Sequence, residues 1–181
     1  MVSGHVGIAF GTRTLERDAP LLWLLAASIA PDVLDYALAA RHVCHPSGLY
    51  THTLPAIAVT ACAFTLAARW PVGSWRAAGV VGAMVVAHIL ADYITGLKLL
   101  WAGGPIVGLN LYAWPALDFL VELPFIATGW WMLRRSGAAA RWVSSAGTLV
   151  ALLIVQAWSD VSTYRKPNAC VVTAELGAVA R

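Results

Sequence analysis

Five apolar stretches, each close to the length of a bilayer-spanning helix, constrain this chain more than any other feature. Pro20 to Ala40, Leu54 to Trp70, Arg76 to Trp101 and Trp142 to Val161 are long and apolar, and Leu117 to Leu133 is a fifth, interrupted by Glu122 and Pro124. A helix needs about 17 to 25 residues to span hydrocarbon. A shorter stretch, Val2 to Thr12, supplies a partial helix. The expected fold is therefore all-α: a polytopic transmembrane bundle of about five helices plus a short N-terminal helix. Composition agrees, because 60% of the 181 residues are hydrophobic and only 12% are charged, against roughly 25% charged in soluble domains. The nine Trp and five Tyr fall mostly near the ends of apolar runs, where amphipathic rings sit at headgroup level.

No internal repeat or low-complexity linker divides the membrane part, so residues 1–161 read as one domain and residues 162–181 as a polar tail. The opening "MVSGHVGIAF" has no basic residue ahead of its apolar part and does not read as a cleaved secretory signal. Cys44, Cys62 and Cys170 form no CxxC pair, and Cys62 within an apolar run reads as a packed thiol. The net charge of +3 is too small and too scattered to suggest nucleic acid, and none is expected as a partner. Basic residues orient the bundle, since loops rich in Lys and Arg stay cytoplasmic. Seven of them, Arg13, Arg17, Arg69, Arg76, Arg134, Arg135 and Arg141, fall on one side, and five, Arg41, Lys98, Arg165, Lys166 and Arg181, on the other. The expectation is a multi-pass protein of the inner (plasma) membrane. The loops "RHVCHPSGLYTHT" and "KLLWAGGPIVGLNLYAWPA" then face the extracytoplasmic side.

Within the apolar run Val85 to Gly96, "VVAHILADYITG", an imidazole and a carboxylate stand four residues apart, on one face of a helix. An unpaired charge at membrane depth costs about 2.5 to 3.5 kcal/mol or more, so His88 and Asp92 require partners. Counting helical rise from the basic turns locates them. Asp32 lies twelve residues after Pro20, His88 twelve after Arg76 and Glu122 twelve before Arg134, which places all three at about 18 Å. His5, eight residues before Arg13, falls nearby. Asp35, Asp92 and His52 form a layer at about 22 to 26 Å.

Each of these residues has a purely structural alternative. A lone His in an apolar helix is usually a satisfied interhelical donor, and Asp32 after Pro31 in "APDVLD" fits a helix break whose carboxylate caps the next turn. His52 in "YTHT" fits an interfacial loop, as do His42 and His45, and Glu122 fits the backbone freed by Pro124. Together, three imidazoles and four carboxylates at adjacent depths make an N/O ligand set suited to zinc or manganese. Four carboxylates without a Lys or Arg at that depth would repel one another, and divalent cations offset them.

Five segments, "SGHVGIAF", "APDVLD", "YTHTLP", "AHILADYITG" and "VGLNLYAWPALDFLVEL", resemble in this order the bacterial integral-membrane metal-dependent hydrolases of the YdjM-like type. These appear related to zinc-dependent phospholipase C and single-strand nucleases. The resemblance runs from His5 to about Arg135. It implies metal-ligand roles for His5, an aspartate of the PD segment, His52, His88 and Asp92, and a role for Glu122. Many relatives read PDxD where this chain has "PDVLD", which shifts Asp35 by one position. Thr53 stands where a Ser usually follows the TH histidine.

The reading that follows is a membrane-embedded metal-dependent hydrolase, phospholipase C-like. It has two or three divalent ions, zinc or manganese, held by His5, Asp32, Asp35, His52, His88, Asp92 and Glu122. Asp32 or Asp35 serves as proton acceptor or bridging ligand. The expected substrate is a lipid or lipid-linked phosphoester reached from the bilayer. The rivals are a metal or proton transporter, since intramembrane His and carboxylates also mark ion pathways, a haem protein ligated by His5 and His88, and a membrane protein without chemistry.

Overall fold

Turn chemistry sets the helix ends in the computed structural model, which describes residues 2–41, 43 and 49–165. Helix α1 is Val2–Leu15 and α2, entered from an extended Pro20, is Leu21–Ala40. Helix α3, Leu54–Val72, has Pro in its first turn, where the missing N–H costs nothing, and stops at Gly73 in a left-handed conformation (φ 73°). Helix α4, Trp75–Thr95, is capped by Ser74, whose side chain accepts from the Ala77 N–H. Helix α5, Pro115–Ser136, again starts on Pro and ends on a left-handed Gly137, and α6 is Ala146–Arg165. The described chain is thus an all-α bundle, with four helices (α2 to α5) long and apolar enough to cross a membrane. The apolar part of α6, Ala146–Ser162, is shorter. Helix α6 runs past residue 161, where the sequence suggested a tail, and 166–181 lie outside the described residues.

The run expected to continue from Arg76 to Trp101 breaks instead at Gly96. There the backbone turns extended, and strands β1 (Lys98–Leu99) and β2 (Ile106–Val107) pair as a small antiparallel hairpin. The return leg packs onto the end of α4: Gly108 has φ 135°, and a Cβ there would collide with the Gly96 carbonyl. Hydrogen bonds from Leu54 N to Leu100 O (2.9 Å) and from Leu109 N to Tyr93 O (3.2 Å) fix the hairpin over the ends of α3 and α4. A 3₁₀ turn, Leu111–Ala113, leads into α5.

Helix α4 is central: 56% of its most apolar window is buried, against 11% for α3 and 28% for both α2 and α5. Leu24, Ala27, Ile57, Val81, Val85 and Ile89 form the apolar core around it. Outward-facing Leu22, Leu66, Leu120 and Ile154 remain exposed, as suits helices whose surroundings are hydrocarbon. Where α1 crosses α5, Gly7 and Gly129 bring the backbones into contact, and a Cβ on Gly129 would strike the Gly7 carbonyl. Small residues allow such approach where apolar burial gives helices in lipid little drive to associate. Gly129→Val is therefore expected to cost about 1 to 3 kcal/mol. Thermal unfolding in detergent measures this, and an unchanged transition would contradict the packing.

The basic turns share one end of the bundle. Glu16 pairs with Arg76 (2.8 Å), and Arg13 bonds the Ala138 and Ala19 carbonyls (3.2 Å each). Arg69, Arg134 and Arg135 lie over the rings of Trp75, Trp130 and Trp131. The hairpin and the polar cluster occupy the opposite end.

Candidate metal centre

His88 is set by α2. Pro31 has no N–H to give to the ladder of α2 and disturbs the turn before it, and in that turn the Ser28 carbonyl lies 2.7 Å from His88 Nδ1. A carbonyl only accepts, so Nδ1 carries the proton and Nε2 presents a lone pair. Helix α2 continues through Pro31, and Asp32 does not act as a cap: its Oδ1 lies 3.2 Å from His52 Nε2.

His52 is fixed by the same logic. The Thr51 hydroxyl donates to Asp35 Oδ1 (3.0 Å) and sits 2.7 Å from His52 Nδ1. With its proton given to Asp35, the hydroxyl oxygen accepts from Nδ1–H, which turns the His52 Nε2 lone pair inward. Asp35 thus orients a ligand through Thr51 and is not among the convergent atoms.

Four ligand atoms then meet. His52 Nε2 lies 3.2 Å from Asp32 Oδ1, 3.3 Å from Asp92 Oδ2 and 3.3 Å from His88 Nε2. His88 Nε2 lies 3.5 Å from Asp92 Oδ2 and 3.6 Å from Asp32 Oδ1. A tetrahedral zinc with ligands at about 2.0 to 2.1 Å has ligand–ligand edges of about 3.3 to 3.4 Å. Two imidazole lone pairs facing each other at 3.3 Å, with two carboxylates beside them, are the contacts a cation between them would reconcile. The residues present therefore fit a divalent metal. His52, His88 and Asp92 are almost fully buried, while the Asp32 side chain keeps 25% exposure, so solvent reaches the group from the Asp32 side.

The surroundings add two contacts. His5 Nε2 meets the other oxygen of Asp92, Oδ1, at 3.2 Å, and its ring stacks on that of His88 with centroids 3.8 Å apart. His5 therefore braces two members of the group from outside it. The face-to-face stack leaves no room for a porphyrin between these histidines, which removes the haem reading. Lys98 Nζ lies 2.9 Å from Asp92 Oδ2, which corrects the expectation that no Lys stands at this depth. Burial disfavours the Lys98 ammonium, but Asp92, with Asp32 and Asp35 beyond it, raises its pKa above the ordinary lysine value.

Glu122 does not join these residues. It groups with Asp118 and Asp160, one oxygen from each lying within 4.8 Å of the others. The start of α1 supplies donors there, Gly4 N to Glu122 Oε2 (3.2 Å) and Ser3 N to Gln156 Oε1 (2.9 Å), and Gln156 Nε2 donates to Asp160 Oδ1 (2.5 Å). The positive end of a helix offsets carboxylate charge. Sequence reading missed Asp118, Gln156 and Asp160, although Asp118/Glu122 and Gln156/Asp160 repeat the four-residue spacing of His88/Asp92 within apolar runs. His42 and His45, read as interfacial, lie outside the described residues.

No family model matches the chain, and neither a curated protein nor a solved structure matches it.

Proposed function

We propose that this protein is a membrane-embedded, metal-dependent hydrolase that binds one zinc ion through Asp32, His52, His88 and Asp92, with manganese as the alternative metal. The reading is carried by the convergence of two imidazole and two carboxylate ligand atoms, all within 4.8 Å of one another. The resemblance of the motif series to YdjM-like hydrolases points the same way. The three-carboxylate group around Glu122, where donors from α1 and Gln156 reach Glu122 Oε2 and Asp160 Oδ1, is a separate group and is given no part in this reading.

When bound, such a metal supplies Lewis acidity and an acidified water near neutral pH. Held by these residues, the metal would be reached by water from the side where Asp32 keeps 25% exposure. Asp32 is also the carboxylate placed to take a proton from the arriving water. His5, Thr51 and Asp35 hold the ligands in register. The site lies beyond the apolar core, toward the hairpin end, where a phosphoester in a lipid headgroup is the substrate within reach.

Ion transport is the weaker reading. Between the site and the basic end stand Leu24, Ala27, Val81, Val85 and Leu133, all fully buried. These five apolar side chains offer an ion no ligand.

The test is hydrolysis by protein purified without chelator, assayed with a chromogenic phosphodiester and with phospholipid vesicles. Activity is expected, lost on chelation and restored by zinc. Metal-loaded protein that releases product from neither substrate would sink the reading.

The basic bias favours an orientation with the site on the extracytoplasmic side of the inner membrane. In a background without native cysteines, Ala102→Cys at the hairpin is expected to label from outside and Ala140→Cys from inside. The reverse pattern would move the site to the cytoplasmic face and change the accessible substrate.

A further inference from the structure

Lys98 is held more tightly than a loop lysine needs to be. Its strand is paired through Lys98↔Val107, the following turn is tied to α3 by the Leu54–Leu100 hydrogen bond, and its side chain is only 15% exposed. The ammonium meets Asp92 Oδ2, the same oxygen that faces the Nε2 atoms of His52 and His88. Lys98 and a divalent cation therefore draw on one carboxylate oxygen, and like charges that close repel strongly in a poorly solvated site. A lysine stem has four rotatable carbons, so its ammonium is free to turn toward another anion while β1 stays in place.

We propose that Lys98 is the anion-binding residue of this site, placed to hold a phosphoryl oxygen beside the metal group formed by Asp32, His52, His88 and Asp92. It deepens the hydrolase reading and rests on its metal site. Among the described residues, the carboxylates of Asp92, Asp32 and Asp35 are the charges that favour the ammonium. Once the cation neutralises part of that charge, the nearest unsatisfied anion is an oxygen of the substrate. A positive side chain beside a metal is the arrangement that stabilises charge on a transferring phosphoryl group. It also assigns the hairpin a purpose: it carries the positive charge to the edge of the metal group.

Zinc affinity by chelator competition, and inorganic phosphate binding to the zinc-loaded protein by calorimetry, test this in wild type, Lys98→Met, Lys98→Gln and Lys98→Arg. Both neutral variants are expected to bind zinc about five-fold more tightly or better, because the competing ammonium is gone. They are expected to bind phosphate at least about ten-fold more weakly, with Lys98→Arg close to wild type. A lysine that merely pins the hairpin would leave zinc affinity unchanged or lower. Unchanged phosphate affinity in the neutral variants, or zinc binding that is unchanged or weaker, overturns the inference and leaves the metal site standing. Absence of zinc binding in every protein overturns both. Phosphate binding that depends on Lys98, without hydrolysis of any ester, upholds the inference and rejects the hydrolase reading.

Discussion

Alanine at both His88 and Asp92 is expected to lower zinc affinity by at least about a thousandfold. These two residues supply half of the converging ligand atoms. Both come from α4, so a single helix face holds them at the spacing required. The substitution also removes the anchor of Lys98 and the partner of His5, which leaves two buried cationic or polar groups without their carboxylate. Part of the cost therefore appears as lost stability, and a folded control is needed. His88→Gln alone, which keeps volume, is that control. Titration with a chromophoric chelator reads the affinity, and circular dichroism reads the helix content. Full zinc occupancy in a folded double variant would remove the N/O group as the metal site.

Asp32→Asn and Asp35→Asn are expected to separate chemistry from support. Both replacements keep shape and remove basicity. Asp32 touches His52 and opens to solvent, so its loss is expected to reduce metal-dependent hydrolysis by at least about a hundredfold. Asp35 acts through Thr51 on the orientation of His52. Losing such an orienting contact typically weakens metal binding about 10- to 100-fold, and excess zinc should restore the rate. Steady-state kinetics at saturating zinc distinguishes the two. If both variants keep metal and full activity, the aspartates of "PDVLD" are structural and the mechanism is wrong.

Much of this arrangement is legible in the sequence because membrane depth is legible. Counting 1.5 Å per residue from Arg76 and Pro20 brings His88 and Asp32 to one level, and the structure has them 3.6 Å apart. Depth gives no azimuth, however. Glu122 lies at the expected height but on the side of α5 that faces α1 and α6, so it meets Asp118 and Asp160 and misses the histidines. Asp35 is one turn beyond Asp32, and only the position of Thr51 decides that it supports instead of joining the group. Lys98 escaped because, counted with the outer loop "KLLWAGGPIVGLNLYAWPA", it gives no sign of folding back onto Asp92. The break at Gly96 depends on tertiary contacts of Gly108 and Tyr112 with that glycine. Asp160 falls near the end of the run Trp142 to Val161, where a polar residue draws no notice, although its four-residue spacing from Gln156 is visible.

X-ray absorption at the zinc edge of the zinc-loaded wild-type protein tests the metal centre most directly. The expected first shell is four or five nitrogen and oxygen atoms at about 2.0 to 2.2 Å, with outer-shell scattering from two imidazoles that is lost in His88→Gln. A sulfur shell near 2.3 Å, a shell of oxygen alone without imidazole scattering, or a spectrum unchanged in His88→Gln would contradict the assignment of Asp32, His52, His88 and Asp92.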